Sequence, residues 1–159
     1  LGLTFDVCMR PRELADAARL VDQCPATQFI LDHCGNADPF VVSGKTVSEP
    51  GATYALEPEQ WRGDMRALAE RSNVVCKISG IAAHTNGRCE PEDLAPTVNH
   101  CLDNFGPDRV IFGGDWPVCT LGAPLTDWIG SLRQIVSNRS QGDQRKLFYE
   151  NAARLFGLD

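Results

Sequence analysis

The 159-residue sequence has no Cys-x-x-Cys pair, no glycine-rich phosphate loop and no apolar run of even about 18 residues. The last absence leaves no candidate for a membrane-crossing helix. No Gly-x-Gly-x-x-Gly follows an apolar run and no complete Gly-x-x-x-x-Gly-Lys-Ser/Thr loop occurs, so nucleotide binding loses its usual signals. Ser79-Gly80 lacks the Gly-x-Ser-x-Gly elbow of a serine hydrolase. Basic residues are also scarce. Lys and Arg total 15 against 21 Asp and Glu, a net charge of −6, which opposes binding to a phosphate backbone or an anionic membrane and leaves a small molecule as the expected partner.

Cysteine is not scarce, but its number and spacing are informative. Seven cysteines cannot all pair, and without a Cys-x-x-Cys neither a disulfide framework nor a zinc knuckle is expected. Several lie in apolar runs, such as Val74-Val75-Cys76 and Phe5-Asp6-Val7-Cys8, where a reduced thiol behaves as a small buried hydrophobe. A reducing compartment, the cytoplasm, is the expected location. The sequence starts at Leu1 without a basic-then-apolar signal, and a strand pattern begins almost at once, which raises the expectation of a piece of a longer chain.

Four apolar runs read as strands: Leu3 to Met9, Gln28 to Leu31, Val74 to Gly80 and Arg109 to Gly113. Helical spacing alternates with them. Leu14, Ala17, Ala18 and Val21 follow Pro11; Trp61, Met65, Leu68 and Ala69 follow Pro58; Leu94, Val98, Cys101, Leu102 and Phe105 follow Pro91; and Leu125 to Val136 precedes a last helix from about Asp143 to Phe156. The density of turn formers from Asn36 to Glu57 reads as one long loop, and Ile81 to Arg88 as a shorter one. Strand and helix alternate four times with continuously apolar strands, so the expected fold class is α/β with a parallel sheet covered on both faces. At 159 residues the chain makes one domain and is too short for a complete (β/α)₈ barrel, which needs about 250.

In parallel α/β sheets chemistry collects where strands end. The strands here end in Asp6 and Arg10, Asp32 and His33, Lys77 and Ser79, and Asp115. His33 and Asp115 each directly follow an apolar strand and so share one rim, where an imidazole and a carboxylate can hold a metal or activate water. By strand alternation His33 takes the direction of Leu31 and Asp115 that of Gly113, while Asp32 turns away toward a helix or loop. Each has a structural alternative: a histidine capping backbone, and a turn aspartate beside Trp116-Pro117. Lys77 and Ser79 fall on one face of their strand, and a lysine there is an internal ion-pair partner or a substrate anchor. His84 reaches the same rim or stays solvated in its loop, and His100 lies off the apolar face of its helix, on the surface.

Four segments together resemble the amidohydrolase-related family of TIM-barrel hydrolases, in its branch of fuconolactonase-like and sulfomuconolactonase-like lactonases: Phe29 to His33, Asn73 to Gly80, Phe105 to Val118 and Asn151 to Leu158. The resemblance implies that the chain is the C-terminal half of a (β/α)₈ barrel over residues 1–159. It implies that Asp115 is a metal ligand or general base and His33 the active-site histidine after the sixth strand, both of them metal ligands where a divalent ion, zinc first, is bound. Arg10, Lys77, Ser79, His84 and Trp116 are the expected substrate contacts. Where metal-dependent relatives end the fifth strand in histidine, this sequence has Cys8-Met9-Arg10, and some lactonases of the group work without metal, so the resemblance leaves the cofactor open. The implied activity is opening of a small sugar-derived or carboxylated lactone. A metal-dependent decarboxylase or amide hydrolase is the alternative, and a half-barrel acting only as an assembly module is another. The implied protein partner is the missing N-terminal half-barrel or a second copy of the chain.

Overall fold

The apolar runs form short strands because β-branched and aromatic residues pack well on a pleated surface covered by helices. In the computed structural model, which describes residues 2–49, 51–52 and 54–158, these are β1 (Thr4–Val7), β2 (Gln28–Leu31), β3 (Val74–Ile78) and β4 (Val110–Phe112). They make one sheet in the order β1-β2-β3-β4 with every pair parallel. The helices are α1 (Leu14–Gln23), α2 (Pro39–Val42), α3 (Pro58–Ala69), α4 (Pro91–Phe105), α5 (Leu125–Ile135), α6 (Gln141–Arg145) and α7 (Asn151–Phe156), with a π-turn over Lys146–Glu150 joining the last two. The fold is four βα units, as the alternation predicts. The predicted last helix is one helical run widened in its middle by the π-turn.

Strand alternation sorts residues onto two faces. Val7, Phe29, Leu31, Val74, Cys76, Ile78 and Val110 enter the main core under the helices, with Leu14, Trp61, Met65, Leu94, Val98 and Trp128 packed against them. Ile30, Val75 and Ile111 point the other way and meet Ala152 and Leu155 of α7, which crosses the inner face of the sheet. Asn151 fastens α7 by donating to the carbonyls of Pro107 (2.7 Å) and Val110 (2.8 Å). At the same pole the Arg109 guanidinium donates to the carbonyls of Ala69, Arg71 and Val74. Coverage on both faces holds for β2 to β4 but not for β1, the edge strand, whose Phe5 is 53% exposed with Leu3 beside it at 73%.

The segment from Asn36 to Glu57 is not wholly irregular. Asp38 accepts hydrogen bonds from the N–H groups of Phe40 (2.9 Å) and Val41 (3.4 Å), and Pro39 supplies a preset first-turn φ, so the short helix α2 forms there. Gly44-Lys45-Thr46 follows the end of that helix, and Lys45 pairs with Asp93 of α4. Ile81–His84 is a 3₁₀ turn. His100 is half-buried rather than on the surface: its Nε2 lies 3.1 Å from the Arg62 carbonyl and its ring packs on Trp61, and burial lowers its pKa against the pull of that carbonyl.

Candidate active site

Register places the site at the C-terminal ends of the strands. Val7 pairs with Leu31 and Ile78 with Phe112, so Cys8, Asp32, Ser79 and Gly113 follow at one rim. The chain then turns sharply after β2. His33, Cys34, Gly35 and Asn36 all have positive φ, between 52° and 67°. Each of the three non-glycine residues costs about 1–3 kcal/mol in this left-handed region, which persists only where surrounding contacts over-determine it. Those contacts are present: Gly35 N–H donates to Asp32 O (2.9 Å), Trp61 Nε1 to Cys34 O (3.0 Å) and Asn36 Nδ2 to Met9 O (2.8 Å).

The turn swings the His33 ring onto the rim. Its Nδ1 lies 2.9 Å from Ser79 Oγ, and its Nε2 lies 4.0 Å from Asp115 Oδ1. Asp115 also has positive φ, 53°, just beyond the Gly113-Gly114 pair and before a cis Trp116-Pro117 peptide. Trp128 Nε1 donates to Gly113 O (3.2 Å) and Cys119 N–H to Asp115 O (2.8 Å), fixing the loop that carries the carboxylate. His33 and Asp115 open into one cavity of about 260 Å³, lined also by Asn36, Tyr54, Gly80 and His84.

The other predicted residues fall in different places. Ser79 is 1% exposed and its hydroxyl meets His33. Lys77 lies on the inner face with its Nζ 2.5 Å from Asp32 and 2.9 Å from Asp6. Burial works against the ammonium, but the carboxylates of Asp32 and Asp6 outweigh it and raise the Lys77 pKa. His84 lines the cavity with its Nδ1 4.0 Å from Asp38. Arg10 faces Glu13 at 3.5 Å and does not line the cavity, and Trp116 is 71% exposed.

Two sequence expectations are corrected here. Asp32 does not turn to a helix or loop; it shares the inner face with Ile30, two residues back, and meets Lys77. Cys8 is not a buried hydrophobe. It is exposed beyond the end of β1, and its Sγ lies with one ligand atom each of Asp32 and His33 in a group whose members are all within 4.8 Å of one another. The left-handed turn hides this group from sequence reading, since alternation counted through His33 assigns Asp32 the wrong face. Asn36 and Tyr54 of the cavity lining carry no sequence signal of a site role.

The sulfur, nitrogen and carboxylate donors of this group suit a borderline-soft divalent ion. Asp32 Oδ1 is buried and faces the Lys77 ammonium at 2.5 Å, a charge that Lys77 divides between Asp32 and Asp6, so the donor set of Cys8, Asp32 and His33 still fits a cation.

The amidohydrolase family model matches residues 1–158. The chain belongs to the amidohydrolase family. It is 31% identical to an L-fucono-1,5-lactonase of Burkholderia multivorans over 97% of this chain and 51% of that protein. It is 30% identical to a 4-sulfomuconolactone hydrolase of Rhizobium radiobacter over 59% of this chain and 32% of the relative. A crystal structure of an amidohydrolase from Burkholderia multivorans with bound zinc superposes with a TM-score of 0.81 at 29% identity, covering 98% of this chain and 53% of that one. The chain thus spans about half the length of the curated lactonase it matches over nearly its whole length, and its four βα units correspond to the C-terminal half of a TIM barrel.

Proposed function

We propose that this chain supplies the water-activating base and the carbonyl-holding imidazole of a hydrolase that opens a small sugar-derived or carboxylated lactone. The observation that carries the reading is the approach of His33 Nε2 to within 4.0 Å of Asp115 Oδ1 in one open cavity. That separation is too long for a direct hydrogen bond and leaves room for a water or a carbonyl oxygen between the groups. Asp115 takes a proton as the water oxygen bonds to the lactone carbonyl carbon. His33 donates from Nε2 to the developing oxyanion while the Ser79 hydroxyl donates to Nδ1. The ring C–O bond then breaks, and the proton held by Asp115 passes to the departing alkoxide oxygen. His84 and Tyr54 are placed to meet substrate hydroxyls, with Asn36 on the same wall. Arg10 and Trp116 are left for parts of the substrate outside the cavity.

The zinc in the similar amidohydrolase supports a metal-dependent version of this reading, with His33, Asp115, Asp32 and Cys8 as the donors at hand. A bound divalent ion would supply Lewis-acid polarisation of the carbonyl in place of the His33 Nε2–H bond, since a nitrogen that holds the ion has no proton to donate. The same donors would serve a decarboxylase or an amide hydrolase of this family. The exposed outer face of β1 and the free edges of β1 and β4 favour a second four-stranded half, from the same polypeptide or from another copy, as the partner that completes the site. The seven free cysteines support a reducing, cytoplasmic location.

The test is Asp115→Asn in the full-length enzyme, which keeps the shape and removes the base. A fall in kcat of about 10²–10⁴-fold on sugar lactones is expected. Turnover near that of the unmodified enzyme would overturn the mechanism.

A further inference from the structure

We propose that Cys8 is a metal ligand, its thiolate joining the Asp32 carboxylate and the His33 imidazole in a three-donor site for a divalent transition ion, zinc or its cobalt(II) substitute. The inference concerns binding alone and does not rest on the lactonase reading.

Register builds the site. Val7 and Leu31 are partners in parallel strands, and Asp32 N–H donates to Val7 O at 3.0 Å, so Cys8 and Asp32 leave the sheet side by side. Alternation from Asp6 and Ile30 sends both side chains to the inner face. The left-handed turn at His33 brings the third donor back over them, and the three ligand atoms lie within 4.8 Å of one another.

Each donor is prepared by a neighbour. Asn36 Nδ2 donates to Met9 O at 2.8 Å and to Cys8 Sγ at 3.5 Å, which holds the sulfur beside the other two donors. Ser79 occupies His33 Nδ1 and leaves Nε2 as the free nitrogen. Its hydroxyl serves either tautomer, donating to a bare Nδ1 or accepting from Nδ1–H when the Nε2 lone pair faces a cation, and the second arrangement is the usual outer partner of a metal-bound imidazole. Asp32 is 9% exposed, and Lys77, shared with Asp6, leaves one net negative charge among the three groups. A thiolate makes that two, which a divalent ion balances. The mixed sulfur, nitrogen and oxygen set selects zinc or cobalt over magnesium or calcium.

Cobalt(II) alone, titrated into the purified full-length protein, reads the proposal directly. A near-ultraviolet thiolate-to-cobalt band saturating at one ion per chain is expected. Cys8→Ser should abolish the band and weaken binding at least tenfold, while Cys24→Ser, which alters a thiol outside the site, should leave both unchanged. Cys8→His replaces sulfur by nitrogen and should retain cobalt, seen in its visible d–d absorption, without the charge-transfer band. Cys8 is exposed, so neither change at residue 8 removes core packing, and thermal melts verify the fold of each variant. A band that survives Cys8→Ser, cobalt bound with no thiolate band, or no stoichiometric binding would each overturn the assignment. None of these readouts involves lactone turnover, so they separate failure of this site from failure of the lactonase reading.

Discussion

A methyl group at residue 80 would fall 2.5 Å from His33 Cβ and 2.8 Å from its Nδ1, inside any contact two such atoms make. Gly80 is therefore the space into which the imidazole fits. Its own φ of +75° adds a second reason for glycine. Gly80→Ala must push the ring off the rim, and a displacement of about 1 Å at a reacting group costs on the order of 10²-fold in rate. Steady-state kinetics of the full-length variant should show kcat/KM reduced by about that factor. Unchanged kinetics would mean that His33 does not act from the position described.

Ser79→Ala leaves the fold intact and His33 Nδ1 without its partner. The ring then loses the hydrogen bond that holds its orientation, so kcat should fall about tenfold or more with a smaller change in KM. Nitrogen NMR of the His33 side chain reports the loss of the Nδ1 hydrogen bond. A variant with unaltered kinetics and spectrum would reduce Ser79 to a packing residue.

Lys77→Met removes the ammonium shared by Asp6 and Asp32 and should cost about 1–3 kcal/mol, less than a fully buried pair because Asp6 is half exposed. The Lys77 pKa is raised, so its contribution is complete below the usual lysine value of 10.5 and is lost as pH climbs through the higher folded value. The difference in Tm between the two proteins should hold steady from neutrality to that point and shrink above it. A difference that grows with alkalinity would contradict the ion-pair assignment.

Asp64 presents the opposite case. Its Oδ2 is buried without a hydrogen-bond partner, and burial raises the carboxyl pKa above the ordinary 3.8. Ionisation then costs more in the folded chain than in the unfolded one, so stability declines as pH rises through that value toward the folded pKa. Asp64→Asn should raise Tm by a degree or two at neutral pH, on the order of a few tenths of a kcal/mol after solvent screening, with no gain at the acid end. Melting curves across the acid range test the sign.

Much of this molecule was legible in the order of its residues, and the reason is local agreement. The apolar runs around Phe29 to Leu31 and Val74 to Ile78 are strands because nothing in them competes with that state, and Pro11, Pro58 and Pro91 each stand where a helix begins. His33 and Asp115 were legible as rim residues because both follow such runs. The direction of Asp32 was not, because a period of two was extended through a residue with φ of 57°, where the period stops. Gly35 and Asn36 suit that conformation, but nothing in Cys34 announces it; contacts from Trp61 and Met9, distant in sequence, hold the turn. Helix α2 was missed for a related reason, since Asp38-Pro39 serves equally as a turn and as a cap with a first helical residue.

Arg109 gathers three carbonyls from two neighbouring segments at the pole away from the cavity, close to where Asn151 pins the closing helix. Foundations and working surface are thus kept apart. Evolution can exchange donors such as Cys8 or redraw the wall around Tyr54 without loosening the footing, a division of labour that lets one scaffold try many chemistries.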